Sequence, residues 1–248
     1  MRLASLFAAA GLALLALPAA AETPVPRAEI EQIVKEYLLA NPEVIGEALQ
    51  ALEKKQAEAQ AFELADTVRK SAGVLFDSSR QVVLGNPKGD VNVVEFFDYN
   101  CGYCKRAMTD MISLIERDPK VRVVLKEFPV LGPSSTEAAK VAIAVNIAAP
   151  AKYLDFHRRL MSTRGQIDGA KATEAALAAG VDKAALEKAM ADKEVGATIE
   201  EVYALATRLG LSGTPAYVIG TEVVVGAVGL PKLEARVTEA RCTLTKKC

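Results

Sequence analysis

The sequence predicts an α/β protein with an excess of helix, and three observations carry that reading. Two apolar, β-branched runs at residues 91–99 and 121–128 flank a stretch of helical periodicity, a strand, helix, strand order with room for a parallel crossover. From Ser134 to Leu211 every periodic pattern is helical. Strand character then returns at Ala216-Tyr-Val-Ile219 and Glu222-Val-Val-Val225, joined by Gly220-Thr221 as a tight hairpin.

Met1 to Ala21 holds one positive charge at Arg2, an apolar run through Leu6, Leu12, Leu14, Leu15 and Leu17, and small residues at Ala19–Ala21. That pattern predicts a cleavable secretory signal peptide over 1–21, the run being short for a membrane anchor. The chain has 30 Lys+Arg against 31 Asp+Glu, and the leader removes one base and no acid. Nothing in this balance suggests nucleic acid as a partner, and no later run is long enough to span a bilayer. The expected product is exported and periplasmic, without stable membrane insertion. All four cysteines, Cys101, Cys104, Cys242 and Cys248, lie after the leader, in a compartment that permits disulfides.

Residues 22–77 read as a helical segment and linker. Ile30, Ile33, Val34, Tyr37 and Leu38 form one apolar stripe, and Asn41-Pro42 reads as the N-cap and first position of a second helix. That helix runs to about Lys70, roughly 44 Å at 1.5 Å per residue. Ile45, Leu49, Leu52, Ala59 and Phe62 approximate a coiled-coil seam, so self-association through these helices is expected. A helix pair packed back onto its own domain is the plainer alternative. Ser71 to Asp90 then connects to the second part, with a short strand at Gln81–Leu84 and a turn at Gly85–Gly89.

Residues 78–248 read as the catalytic domain. Its strand Val91–Tyr99 runs straight into Cys101-Gly-Tyr-Cys104, after which Ala107, Met108, Met111, Ile112 and Ile115 mark a helix that ends at Asp118-Pro119. Both cysteines therefore sit at a helix start, where unpaired N–H groups and the positive end of the macrodipole favour a thiolate. Cys101 is the expected nucleophile and Cys104 the resolving thiol. The strand at 121–128 ends at Pro129. Helices follow at 138–147, 153–161, 173–179, 184–190 and 199–209, with Asp182 as an N-cap, and a last helix spans Pro231 to about Ala240. His157, the single histidine, lies on an amphipathic helix and reads as structural or surface; Lys105 and Arg106 read as solvated.

Three separated features now agree: Cys101-Gly-Tyr-Cys104 opening a helix, Glu95 six residues earlier, and Thr214-Pro215 before the hairpin. Together they resemble the thioredoxin fold with the helical insertion (about 134–211) of the DsbA-like thiol–disulfide oxidoreductases, over about residues 78–241. With the N-terminal helices, the sequence resembles the ScsC-like (suppressor of copper sensitivity C) branch, whose members are similar to disulfide isomerases and assemble through such helices. The resemblance implies an extended N-terminal oligomerisation segment and an exported enzyme that forms or isomerises disulfides, most simply an isomerase. It also implies a cis peptide at Thr214-Pro215, with Thr214 presenting backbone groups to an extended substrate, and neither cofactor nor metal in the reaction. The implied partners are unfolded or misoxidised exported proteins, a membrane redox partner, and further copies of the chain.

The resemblance gives Glu95 the place of a buried acid, a proton acceptor near Cys104; its plainer alternative is an inward residue bound to Lys126. Gly102-Tyr103 departs from the Pro-His of strongly oxidising members. With no histidine between the cysteines, the expected potential is roughly −120 to −220 mV. Cys242 and Cys248, with five residues between them at the tail, are expected to bridge, with a second redox pair as the alternative. A DsbA-type dithiol oxidase, a copper-tolerance protein binding Cu(I) through the same cysteines, and a holdase with an apolar cleft are the competing readings.

Overall fold

The computed structural model describes residues 26–245 and 248, so the leader expected over 1–21 lies outside the described residues. The chain divides into two compact units between Lys55 and Gln56. In the first, α1 (Arg27–Ala40) buries none of its residues, and Ile30, Ile33, Val34, Tyr37 and Leu39 stand exposed. Ile45, Leu49 and Leu52 are exposed on the first half of α2 (Glu43–Lys70). Asn41, expected to cap α2, instead ends α1, its backbone N–H and side-chain amide both donating to Tyr37 O.

In the second unit, the short α3 (Ala72–Phe76) precedes a five-stranded sheet in the order β1-β3-β2-β4-β5. Its strands are β1 (Val82–Gly85), β2 (Val91–Phe97), β3 (Val121–Glu127), β4 (Ala216–Ile219) and β5 (Glu222–Val225). The central pair β2 and β3 is parallel, as the crossover through α4 (Gly102–Arg117) requires; the other pairings are antiparallel. β2 and β3 are buried on both sides, which is why they read as continuous rather than alternating apolar runs. Gly220 takes φ 61° at the β4–β5 turn, a left-handed conformation suited to glycine.

Between β3 and β4 stand five helices: α5 (Pro133–Ala148), α6 (Tyr153–Ser162), α7 (Gly169–Ala178), α8 (Lys183–Met190) and α9 (Lys193–Arg208). Asp168, Asp182 and Asp192 cap α7, α8 and α9 through their side chains, each accepting a backbone N–H of the first turn. The final helix is α10 (Leu230–Thr245).

Pleating sorts the two faces of the sheet into two clusters. Val91, Val93, Phe97, Val123, Leu125 and Tyr217 pack under α4 and the insertion with Cys101 and Cys104. Val94, Phe96, Val124 and Val218 face the other way, against Val68, Leu75 and the α9 residues Val202 and Leu205. This is the thioredoxin fold with a helical insertion that the resemblance implies. Among the described residues no helix is long and apolar enough to cross a membrane.

Candidate active site

Cys101 is the N-cap of α4, in extended backbone conformation (φ −77°, ψ 112°), because the β2 strand must turn out of the sheet before the helix can begin. Its sulfur accepts the Cys104 N–H at 3.4 Å, replacing the usual capping oxygen, and lies 3.2 Å from Thr214 O. The Thr214–Pro215 peptide, just before β4, is cis. Cys101 is 6% exposed and Cys104 fully buried, both as free thiols.

The two thiols are driven apart in acidity. A hydrogen bond from the Cys104 side chain is the first cause holding Cys101 down to about 5; burial opposes it, while Thr214 and the N–H groups of Cys104 and Tyr103 assist. The same sulfur pair pushes Cys104 up, and burial adds to it. Alkylation of Cys101 in the reduced protein should therefore climb through a midpoint near 5 and be level by pH 7. An ordinary thiol would show its midpoint near 8.5. Iodoacetamide labelling between pH 3 and 9, read by mass spectrometry, measures this; a midpoint above 7 would contradict it.

Glu95 stands on the cysteine face of β2, 4% exposed, with the Tyr217 hydroxyl donating to Oε1 at 3.5 Å. Its pKa is pushed up to about 8 by burial, with Tyr217 opposing and the Cys101 charge adding. Register excludes the Lys126 alternative. Glu95 pairs with Leu125 and Tyr217, whereas Lys126 pairs with Phe96 and so points through the opposite face. There Lys126, fully buried, donates to Val74 O at 2.7 Å with Glu201 4.0 Å away, and burial lowers it to about 8.

Of the other side chains, only Lys105 departs from its expected solvated setting. Lys105 is half-buried, its amine donating to Thr163 O at 2.7 Å, and Arg106 lies 4.4 Å over the ring of the exposed Tyr103. His157 is buried in aromatic packing with Phe97, Tyr99 and Tyr153. Cys242 and Cys248 are paired as a disulfide, Cα atoms 4.8 Å apart. Asp98 and Asn100, which fix the turn before Cys101, carry no role in the sequence reading. Asp-Tyr-Asn between a strand and a helix start is the turn chemistry that could have marked them. Among the described residues no group of three or more His, Cys, Asp or Glu could hold a metal ion.

Comparison with known proteins places these features in context. The family model of the DSBA-like thioredoxin domain matches residues 92–238, and that of the copper resistance protein ScsC N-terminal domain matches residues 27–59. A thioredoxin-like oxidoreductase from Silicibacter pomeroyi DSS-3 is 42% identical, covering 68% of this chain and 96% of its own, with a TM-score of 0.65. ScsC of Proteus mirabilis in a transitional conformation is 30% identical over 90% of this chain and 99% of its own, with a TM-score of 0.66. The thiol–disulfide exchange protein α-DsbA2 of Wolbachia pipientis is 30% identical over 73% and 97%, with a TM-score of 0.69. Among curated relatives, the sodium/proton antiporter NhaA 1 of Salinispora arenicola is 26% identical over 66% of this chain. The chain spans about a quarter of the length of the curated relatives it matches, 25% in each case.

Proposed function

The chain belongs to the DsbA-like thioredoxin domain family, and from that premise we propose that it is a periplasmic thiol–disulfide oxidoreductase acting chiefly as a disulfide isomerase on exported proteins. The observation that carries the chemistry is the asymmetric cysteine pair, one acidic sulfur at a helix N-cap beside Thr214 and one buried, protonated sulfur behind it.

In the reaction, the Cys101 thiolate attacks a substrate disulfide. Its sulfur bonds to one substrate sulfur as the other leaves as a thiolate. Cys104 then attacks Cys101, releasing the second substrate thiolate and closing the Cys101–Cys104 disulfide; if a different substrate thiol attacks first, the substrate disulfide is rearranged and Cys101 is regenerated. Resolution needs Cys104 to lose its proton. Glu95, on the same face of the sheet, is the acceptor in this reading. While Cys101 is a thiolate its charge helps keep Glu95 protonated, and the mixed disulfide removes that charge. Thr214 and Pro215 form the rim against which an extended substrate segment lies.

Isomerisation rather than net oxidation is supported by the N-terminal unit. It exposes Ile30, Ile33, Val34, Tyr37, Ile45, Leu49 and Leu52, and copies joined through these faces hold one substrate near several sites. The oxidase reading has its own support in the depressed Cys101 pKa, since a good leaving thiolate makes the protein disulfide more oxidising. Reactivation of scrambled ribonuclease by the full mature protein and by a variant lacking residues 22–55 decides between them. The cut stops at 55 because Val68, farther along α2, is buried in the core. The variant is expected to be monomeric, to lose most isomerase activity and to keep simple dithiol oxidation; equal isomerase activity would overturn the assignment.

A further inference from the structure

The turn that delivers Cys101 is held from beneath by side chains that take no part in the exchange. The Cys101 N–H donates to Asp98 O at 3.0 Å. Asp98 Oδ1 accepts the Asn100 N–H at 2.7 Å and Oδ2 the Leu131 N–H at 3.0 Å. The Asn100 amide donates to Ile167 O at 2.8 Å and to Ser135 Oγ at 3.0 Å, and its Oδ1 accepts the Ile167 N–H at 2.7 Å.

Between them, Tyr99 is 1% exposed and reaches into a fully interior cluster. Its hydroxyl donates to Glu127 Oε1 at 3.2 Å and lies 3.1 Å from His157 Nδ1 and 3.3 Å from the Tyr153 hydroxyl. Tyr153 donates to the same Glu127 oxygen at 2.7 Å. A consistent set of protons has His157 Nδ1–H donating to Tyr99 and Tyr99 to Glu127. Ser135, Ile167, Tyr153 and His157 all belong to the insertion, whereas Glu127 is the last residue of β3.

This cluster is an expensive way to fill a core. Two hydroxyls, an imidazole and a carboxyl lose their water, and Glu127 Oε2 is buried without a partner. Glu127 and Tyr153 border a void of about 10 Å³, room for a single water. Apolar side chains would fill the same space at lower cost but would tolerate several positions of Tyr99; directional hydrogen bonds select one. Position is what the neighbouring sulfur needs. Its contact from the Cys104 N–H at 3.4 Å, which favours the thiolate, weakens if the turn slides by a few tenths of an ångström.

We propose that Tyr99 and Glu127 are positioning residues for Cys101, through which the helical insertion holds the reactive sulfur on its hydrogen-bond partners. The proposal rests on Cys101 being the redox thiol, but its test reads the thiol directly. In full-length reduced protein, the pH profile of Cys101 alkylation is compared for Tyr99→Phe, Glu127→Leu and Glu127→Gln. Tyr99→Phe and Glu127→Leu are expected to raise the alkylation midpoint by about one pH unit or more, with the rate at pH 9, where Cys101 is ionised in every variant, at or above the parental one. Glu127→Gln is expected to keep the parental profile, because its amide oxygen still accepts both hydroxyls.

A cluster that merely stabilises the fold would lower the melting temperature of Tyr99→Phe and Glu127→Leu and leave the alkylation midpoint in place, and that outcome overturns the proposal. Should Glu127→Leu fail to fold, Tyr153→Phe opens the cluster from the insertion side and must shift the midpoint in the same direction. If it and Tyr99→Phe both keep the parental midpoint, the proposal fails. A parental protein with the expected Cys101 profile but no disulfide exchange would instead strike the functional assignment alone.

Discussion

A Cys104→Ala variant is expected to accumulate mixed disulfides with its substrates, while Cys101→Ala forms none and exchanges nothing. Cys104 is fully buried and its pKa is raised, so it cannot meet a substrate disulfide; its reach is confined to Cys101, three residues earlier on the same turn. Removing it leaves attack intact and abolishes the intramolecular escape, so the covalent intermediate persists until an outside thiol releases it. Net disulfide transfer, which closes the Cys101–Cys104 bond, should fall on the order of 10³-fold in either variant, whereas rearrangement released by a substrate thiol survives in Cys104→Ala and is lost in Cys101→Ala. Non-reducing electrophoresis and mass mapping of the adduct with a disulfide-bonded peptide separate the two. An adduct through Cys104 in Cys101→Ala would reverse the assignment of nucleophile.

The second large effect is on stability against pH, read in the oxidised protein so that Cys101 does not titrate. Burial is the first cause pushing Glu95 and Glu127 up to about 8, against 4.5 for an ordinary glutamate; the Cys101 charge, the smallest cause at Glu95, is absent from the oxidised protein, and burial holds that carboxyl up without it. Between those values the folded state keeps protons that the unfolded state has released, so each carboxyl's contribution to stability declines as pH rises from 4.5 to 8. Burial holds His157 down to about 3, so its effect runs oppositely and is complete above 6.5. Between pH 6.5 and 8.5 the carboxyls lose stability as pH rises, while Lys126, held down to about 8 by burial, opposes them by gaining stability as pH rises through that value; the net cost should be on the order of 3 kcal/mol. Urea titrations at the two pH values measure it, and a Glu95→Gln, Glu127→Gln double variant should flatten the difference. In the reduced protein Cys101 partly masks the effect. Its pKa is depressed, so its stabilisation is present above the unfolded value near 9 and is lost as pH falls through about 5.

Much of this was legible because the sequence signals were local. The apolar runs of β2 and β3, the cysteine pair at a helix start and the glycine at the hairpin each depend on a few adjacent residues. α5 begins five residues before its alanine pattern suggests, at Pro133, whose fixed φ suits a first helical turn. α3 escaped notice since five residues are too few to show a period.

What sequence could not supply was the facing of neighbours in the sheet. Lys126 and Glu127 are adjacent, yet pleating sends one to the α3 side and the other to the insertion side, and only the register with β2 says that Lys126 does not share the face of Glu95. The Tyr99, Glu127, Tyr153 and His157 cluster joins residues 26 to 58 positions apart and exists only once the insertion has packed. His157 thus read as a lone histidine on a helix face.

Gly102, between the two cysteines, has open space on its side-chain face. A methyl group added at Gly102 would meet no atom within 4 Å, and Gly102 itself is exposed. The helix would accept the change, since alanine is the better helix former. A side chain can therefore be placed next to the reactive sulfur without repacking the core, so the sequence between the cysteines is free to vary while the fold stays as it is.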